Sequence, residues 1–238
     1  MGEVQVPGRY GALPGYLAVP PGEDTRHPGI IVLPEILGLN DDIRARADRL
    51  ASEGYVAFAP DLYYFGAKLR CIAATIAAVA KGTGRAFDDI EAARVFVADH
   101  DRCTGTIGII GFCMGGGFAL ACAPLGSFAA VAPNYGQVPR DAVTRLAGAC
   151  PVVGSYGDKD WMMRGHARRL EDALTAAGVP HDVKEYPDTP HSFMNHHEGL
   201  VATMDGLLRT GYRPEAAEDA WARILAFFAH HLHRPDGD

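Results

Sequence analysis

The sequence feature that most constrains the fold is the stretch Gly111-Phe-Cys113-Met-Gly115. A short apolar run ending at Ile110 precedes it and predicts a buried strand, and the apolar residues that follow it predict the start of a helix. A strand, a tight Gly-x-Cys-x-Gly turn and a helix form a nucleophile elbow, with cysteine where serine is commoner. Such a turn strains its central residue and packs its glycines so tightly that a Cβ would clash with backbone. The motif therefore predicts a Cys113 thiol at the tip of a strand.

Taken alone, this motif is equally compatible with a glycine-rich turn around a buried structural cysteine, so the rest of the chain has to decide. Apolar, β-branched runs predict strands at 16–19 (an edge strand), 29–33, 55–59, 106–110, 129–132, 151–155 and 182–186. Helical patterns cover about 42–52 with Asp41 or Asp42 as its cap, 69–80, 86–99, the segment after the elbow, 164–176 and 214–232. This alternation predicts a mostly parallel sheet with helices on both faces, an α/β-hydrolase fold, and nothing resembles a linker that would divide residues 1–238.

Composition narrows the range of functions. The 238 residues are 48% hydrophobic and 21% charged, which is ordinary for a globular protein, and the net charge of −7 argues against a nucleic-acid surface. No apolar run approaches the ~18–20 residues of a membrane span, and the first residues lack the order of a signal peptide. The five cysteines include no C-x-x-C pair. We therefore expect a cytoplasmic protein, monomeric or homodimeric, that binds no nucleic acid and no membrane.

A thiol nucleophile requires a base, and the base requires an orienting acid. In this fold the order along the chain is nucleophile, acid, histidine. The acid candidates after Cys113 are Asp158 and Asp160, both at the end of a predicted strand, and the spacing from Gly157 favours Asp160; either could instead only cap the next helix. His191, in the loop after the last strand, is the predicted base, although alone it could be a surface histidine.

Glu35 lies two residues after the end of the predicted strand 29–33. In this fold that loop supplies the second N–H of the oxyanion hole, so a carboxylate there would lie close to the nucleophile. Alternatively, Glu35 is a surface residue or a salt-bridge partner. The histidines near the C-terminus could chelate a metal, but a solvated polar end is the simpler interpretation, and we predict no metal site.

Several motifs together resemble the dienelactone hydrolase family. They are Glu35-Ile-Leu-Gly-Leu, Pro60-Asp-Leu-Tyr63, Gly-Phe-Cys113-Met-Gly-Gly, Gly157-x-x-Asp160 and His191-Ser-Phe, in register from about Gly15 to Phe228. The resemblance implies a Cys113–His191–Asp160 triad and an oxyanion hole formed by the N–H groups of Ile36 and Met114, with no metal or organic cofactor. It also implies that Glu35 holds the thiol at rest until substrate displaces this contact.

The chain departs from that family at two positions. Its members resemble one another in carrying two arginines that grip a substrate carboxylate, and here those places are Phe65 and Asn195. A bidentate arginine contact cannot be replaced by phenylalanine, although Lys68, Arg70 or His196 could supply a charge from elsewhere. We therefore expect a neutral or more apolar ester, lactone or thioester. The residues predicted to bind it are Tyr63, Tyr64, Phe65, Trp161 and Asn195.

The predicted function is thus hydrolysis of an ester or lactone bond in a small molecule. Two alternatives stay open. One is a lyase, isomerase or cyclisation enzyme that uses His191 as base and Cys113 only incidentally. The other is a small-molecule receptor without catalysis. The segment 196–213 fits neither loop nor helix patterns well, and it could form a partial lid or a dimer contact.

Overall fold

The computed structural model describes residues 1–22, 25–65, 78, 81–196, 203 and 210–233. They build one eight-stranded sheet with the strand order β1-β2-β4-β3-β5-β6-β7-β8. The strands are β1 Gly2–Gly8, β2 Gly11–Ala18, β3 His27–Leu33, β4 Val56–Pro60, β5 Cys103–Phe112, β6 Ala130–Asn134, β7 Val152–Gly157 and β8 His181–Tyr186. From β4 to β8 all neighbours are parallel, whereas β1 and β2 pair antiparallel with each other, as do β2 and β4.

The helices lie on both faces of this sheet. They are α1 Asp41–Ser52, α2 Arg85–Ala98, α3 Met114–Cys122, α4 Ala142–Arg145, α5 His166–Ala177 and α6 Pro214–Leu232. One hydrophobic cluster joins α2, α3 and α5 to side chains such as Ile31 and Phe58. A second joins α1 and α6 to side chains such as Ile30 and Val32, which point the other way because side chains alternate along a strand. This is the two-sided, mostly parallel architecture that the sequence predicts.

The N-terminal edge of the sheet differs from the prediction. The strand expected at 16–19 is β2, which begins at Gly11 and lies inside the sheet because β1 pairs with its outer side. In β1 only Val6 is buried, so the sequence contains no apolar run that predicts this strand. Pairing with β2 fixes its conformation. The cap of α1 also differs: the Asn40 side chain accepts the Ile43 N–H at 3.0 Å, not Asp41 or Asp42. The helix predicted at 69–80 lies outside the described residues apart from position 78.

The loops that carry the predicted site residues all follow the carboxyl ends of parallel strands. Residues 34–40 follow β3, 61–65 follow β4, Cys113 follows β5, 158–161 follow β7 and 187–195 follow β8. Because these strand ends lie at one edge of the sheet, the loops meet there, where open α/β sheets bind ligands. Over the described ranges, no helix has both the length and the apolarity needed to cross a bilayer.

Candidate active site

The elbow has the strained geometry that its sequence predicts. Cys113 lies between β5 and α3 with φ 54° and ψ −113°, a conformation that L-residues rarely adopt. A Cβ on Gly111 would lie 2.0 Å from the carbonyl oxygen of Gly115, and one on Gly115 would lie 2.5 Å from that of Leu33. Both positions therefore require glycine. The Cys113 N–H bonds to the Asn134 carbonyl at 3.1 Å, and its side chain is partly exposed.

His191 and Asp160 form a buried pair. Nδ1 of His191 lies 2.6 Å from Oδ2 of Asp160, and the two residues are 3% and 1% exposed. The other carboxylate oxygen, Oδ1, accepts the N–H groups of Met162 and Met163 at 3.0 and 3.1 Å, which fixes the plane of the carboxylate. Of the two acids considered from sequence, Asp160 is thus the one that contacts His191.

A close backbone contact brings these two loops together. A Cβ on Gly157 would lie 2.1 Å from the carbonyl oxygen of Thr189, so only glycine permits the end of β7 to approach the histidine loop this closely. Asp158 supports the same contact, because its Oδ1 accepts the Thr189 N–H at 3.2 Å. Asp158 therefore ties the loops together and lies apart from the imidazole.

The surroundings of His191 favour its protonated form. Burial by itself lowers the pKa of the imidazole, but the Asp160 hydrogen bond and the nearby Cys113 sulfur raise it, with the net result that the pKa is about 10. The second ring nitrogen, Nε2, is buried and has no hydrogen-bond partner of regular geometry in the described part of the chain. The sulfur thus acts on the imidazole through proximity, and Nε2 is available for proton exchange.

Glu35 is buried, which excludes its interpretation as a surface residue. Its Oε2 accepts the Asn195 Nδ2 amide at 2.6 Å. Its backbone carbonyl accepts the Gly38 N–H at 3.0 Å and the Tyr63 hydroxyl at 3.4 Å. Because a peptide unit is planar and trans, holding this carbonyl also fixes the direction of the Ile36 N–H on the opposite side.

The two N–H groups predicted for the oxyanion hole come from neighbouring segments. Met114 opens α3, where the helix dipole favours negative charge, and Ile36 follows Glu35 in the loop after β3. The Pro34 carbonyl lies so close to Gly115 that a Cβ there would approach it to 2.6 Å, so this loop touches the start of α3. Within the described ranges, neither N–H donates a hydrogen bond to another group of the protein.

The residues predicted to bind substrate fall into two groups. Trp161 is 66% exposed, and Tyr64 and Phe65 are half-buried with their rings in an edge contact at 6.0 Å. Tyr63 is buried and directs its hydroxyl at the Glu35 carbonyl, while Asn195 is completely buried. Contact between Asn195 and a substrate would require this side chain to leave its buried position.

Arg46 and Tyr135 belong to this region, although sequence reasoning missed both. Arg46 is buried on the inward face of α1, where its Nη2 donates to Asp42 at 2.6 Å and to Asn195 Oδ1 at 2.8 Å. The Tyr135 hydroxyl donates to the same oxygen, and its ring lies 5.1 Å from the His191 ring. Only Arg46 left a signal in the sequence, because it interrupts the apolar stripe that α1 turns toward the sheet.

A second arginine lies beside the aromatic loop. The Arg85 guanidinium lies 4.2 Å from the centroid of the Phe65 ring and 4.8 Å from that of Tyr64. Its Nε lies 3.5 Å from Oδ2 of the fully buried Asp89, whose carboxyl pKa is raised by that burial. The charge of Arg85, which lies beside Phe65, is therefore already paired.

The other described cysteines differ from Cys113 in their surroundings. Cys103 and Cys122 are buried and Cys150 is half-buried. Burial raises the pKa of the Cys122 and Cys150 thiols to about 12 and raises that of Cys103 as well, which makes these thiols poor nucleophiles. Cys71 lies outside the described residues. Nowhere in the described ranges do three or more His, Cys, Asp or Glu side chains cluster in a way that could hold a metal ion.

A cysteine elbow on this doubly covered sheet, with a buried histidine–aspartate pair beside it, defines an α/β-hydrolase fold. The model of the dienelactone hydrolase family matches residues 13–232, and the chain belongs to that family.

The chain is similar to curated proteins over nearly its whole length. One from Methylorubrum extorquens, provisionally named carboxymethylenebutenolidase, is 30% identical over 244 residues, which cover 95% of this chain and 80% of the relative. Another with the same provisional name, from Yersinia pestis, is 29% identical over 246 residues, covering 97% and 88%. Among solved structures, a provisionally named dienelactone hydrolase from Klebsiella pneumoniae is 28% identical, with a TM-score of 0.78 and coverage of 96% and 97%.

Proposed function

We propose that this protein hydrolyses an ester or lactone bond of a small molecule, with Cys113 as nucleophile and His191 and Asp160 as its partners. The observation that carries the proposal is the strained elbow, which presents Cys113 beside a histidine whose other nitrogen bonds a buried aspartate. Family membership supports the same reaction class. The relatives' names support it too, because a butenolide is a lactone.

In the first half of the reaction, the Cys113 thiolate attacks the carbonyl carbon of the substrate. The negative charge that forms on the carbonyl oxygen is accepted by the N–H groups of Ile36 and Met114. The imidazolium of His191 then donates its Nε2 proton to the departing alkoxide, and the C–O bond breaks to leave a thioester on Cys113. A pKa of about 10 keeps this imidazolium available at neutral pH.

In the second half, His191 is neutral and removes a proton from water, which attacks the thioester. The C–S bond breaks, the acid product leaves, and the thiolate–imidazolium pair is restored. Asp160 holds Nδ1 of His191 throughout and so fixes the imidazole in the orientation that presents Nε2 to the sulfur. No step calls for a metal or an organic cofactor.

Glu35 controls the nucleophile between turnovers in this proposal. A carboxylate near the thiol disfavours the thiolate and so protects an idle cysteine from oxidation. Substrate displaces this contact, and the Cys113 thiolate then pairs with the His191 imidazolium. Burial of Glu35 in the loop that touches the start of α3 supports this role.

The substrate in this proposal is neutral or weakly polar. Among the described residues, Arg85 lies against Phe65 and Arg46 bonds Asn195, the two positions where arginines were expected. Each guanidinium already faces a carboxylate: Arg85 faces Asp89, and Arg46 faces Asp42. Apolar surface is exposed on the loops after β3 and β7, where Ile36 is 41% exposed. These features favour an apolar acyl or alcohol group over a second carboxylate.

The substrate class is tested by comparing kcat/KM for a carboxylated dienelactone with that for neutral aryl esters and uncharged lactones. We expect the neutral compounds to be hydrolysed with the higher kcat/KM. A dienelactone turned over as efficiently as the best neutral ester would refute the substrate assignment.

The nucleophile is tested separately. Cys113→Ala should abolish turnover while leaving the circular dichroism spectrum intact, and mass spectrometry of the wild-type protein with a slow ester should detect an acyl group on Cys113. Cys122→Ala is the matched control, because this cysteine is buried away from the elbow and its loss should leave kcat unchanged. Retained activity in Cys113→Ala would remove the proposed mechanism.

A further inference from the structure

A continuous chain of buried hydrogen bonds connects Glu35 to α1, and we refer to Glu35, Asn195, Tyr135 and Arg46 as the Glu35 network. Asn195 is its centre: Nδ2 donates to Glu35 Oε2 at 2.6 Å, and Oδ1 accepts from Arg46 Nη2 at 2.8 Å and from the Tyr135 hydroxyl. Arg46, the most exposed of the four, is only 4% exposed. Bonds in such surroundings are poorly screened by water, so each one constrains the next.

The network has a defined direction. A guanidinium can only donate hydrogen bonds, so the side of the Asn195 amide that faces Arg46 must be its oxygen. The NH₂ group of Asn195 must then face Glu35, and because it can only donate, the Glu35 carboxylate must accept. Arg46 is itself held in place, because it bonds Asp42 at 2.6 Å and stacks 3.7 Å above the Phe112 ring.

The network also touches the other parts of the site. Phe112, on which Arg46 stacks, immediately precedes Cys113. Tyr135 follows Asn134, whose carbonyl accepts the Cys113 N–H. The ring of Tyr135 contacts the ring of His191.

We propose that Asn195 is a positioning residue that holds the Glu35 carboxylate beside the elbow in the resting site, and that Arg46 and Tyr135 fix the direction of its amide. This inference rests on the proposed roles of Cys113 and Glu35. Asn195 therefore acts on the thiol only through Glu35, and its own contact with substrate is not required.

Loss of the amide has a specific consequence for the thiol. A buried carboxylate that loses a donor either takes up a proton or moves toward water, because burial penalises its charge. Less negative charge then opposes the Cys113 thiolate, which forms at lower pH. Among the described residues, the other charged or titratable groups around the site include Asp42, Arg46, Tyr135, Asp160 and His191. Their own side chains are kept in such a variant, although Arg46 and Tyr135 lose Oδ1 of Asn195 as an acceptor.

The experiment follows alkylation of Cys113 by iodoacetamide in the absence of substrate, from pH 5 to pH 9, with peptide mass spectrometry to identify the cysteine. For Asn195→Leu, an apolar replacement of similar shape, we expect the rate profile to move to lower pH by roughly one unit, which is about tenfold faster alkylation below the midpoint. Tyr135→Phe removes one donor to the amide oxygen and keeps the ring, so a smaller shift in the same direction is expected.

Tyr186→Phe is the matched control. Tyr186 is also buried and also packs on Phe193, at 5.2 Å compared with 5.4 Å for Tyr135. Its hydroxyl bonds Asp219 at 2.7 Å, outside the Glu35 network. The alkylation profile should therefore equal that of the wild-type protein, and a shift as large as that of Tyr135→Phe would overturn the inference.

A double-mutant cycle separates positioning through Glu35 from a general structural effect. If Asn195 acts through Glu35, Asn195→Leu should shift the profile in the wild-type background and add nothing in a Glu35→Gln background. Additive shifts in the double variant would overturn the inference. It would also be overturned if Glu35→Gln altered the alkylation profile and Asn195→Leu left that profile unchanged. An unchanged profile in Glu35→Gln itself would instead refute the resting role of Glu35 in the proposed function. If Asn195→Leu fails to fold, Tyr135→Phe against Tyr186→Phe decides.

Discussion

Replacement of Asp160 by asparagine should change how the stability of the protein depends on pH, in addition to lowering its activity. An asparagine Oδ1 can still accept the N–H groups of Met162 and Met163, so the loop keeps these two bonds. The amide NH₂ then faces Nδ1 of His191 in place of a carboxylate oxygen 2.6 Å away. The perturbation thus removes one charge from a buried pair while preserving its shape.

The expected size follows from the His191 imidazole. Its pKa is about 10 in the folded protein, compared with about 6.5 for an ordinary histidine. Because the folded state binds the proton more tightly, the stabilisation is complete below about pH 6.5 and is lost as the pH rises through about 10. Across this window the free energy of unfolding falls by up to about 1.4 kcal/mol per pH unit, on the order of 5 kcal/mol in all, and Asp160 accounts for part of this because Cys113 also raises the pKa of the imidazole.

The assay is urea unfolding of the wild-type protein and Asp160→Asn at several pH values between 6 and 10.5, with kcat/KM measured on the same preparations. The difference in unfolding free energy between the two proteins should become smaller as the pH rises, even if other effects of the substitution add a constant amount at every pH. In Asp160→Asn, kcat should fall by roughly 10³–10⁴-fold at neutral pH. Asp158→Asn serves as control, because Asp158 bonds the Thr189 N–H instead of the imidazole.

A difference in unfolding free energy that stays constant from pH 6 to pH 10.5 would show that Asp160 does not raise the pKa of His191. The same conclusion would follow if Asp158→Asn flattened the pH dependence as much as Asp160→Asn does.

Two further substitutions test the geometry around the oxyanion hole. Gly115→Ala should destabilise the protein by about 1–3 kcal/mol, because its Cβ would meet the Leu33 carbonyl at 2.5 Å. The measurement is the urea midpoint. Gly2→Ala is the control, because a Cβ at that position meets nothing within 4 Å. Tyr63→Phe removes the hydroxyl that helps to hold the peptide before Ile36, so kcat should fall roughly 3- to 10-fold with little change in KM, and a change confined to KM would contradict this role.

The elbow and the sheet could be predicted from sequence because both leave local patterns. A Gly-x-Cys-x-Gly turn between an apolar run and a helix requires its glycines for steric reasons, and Gly111 and Gly115 meet that requirement in the structure. The buried parallel strands are continuous apolar runs in the sequence, as expected for strands that are covered on both faces. The pairing of His191 with Asp160 in preference to Asp158 followed from chain order and spacing, whereas the catalytic roles of these residues stay predictions.

Features that depend on partners distant in the chain could not be predicted in this way. Strand β1 is mostly exposed, and its conformation comes from pairing with β2. Arg46 and Asn195 are 149 positions apart and meet only in the folded protein. Their residue types do not indicate burial, because an arginine or an asparagine in a sequence is normally a surface residue, and the only local sign is that Arg46 interrupts the apolar stripe of α1.

The contact between Gly157 and Thr189 has a consequence for changing the substrate range of this scaffold. This contact holds together the two chain segments that carry Asp160 and His191. Insertions close to Gly157 or Thr189 would therefore separate Asp160 from His191. Diversification by loop grafting is therefore better directed at the part of the loop after β4 at Tyr64 and Phe65, which carries none of the proposed reacting groups. There, longer or bulkier segments could reshape the entrance while leaving the reactive groups in register.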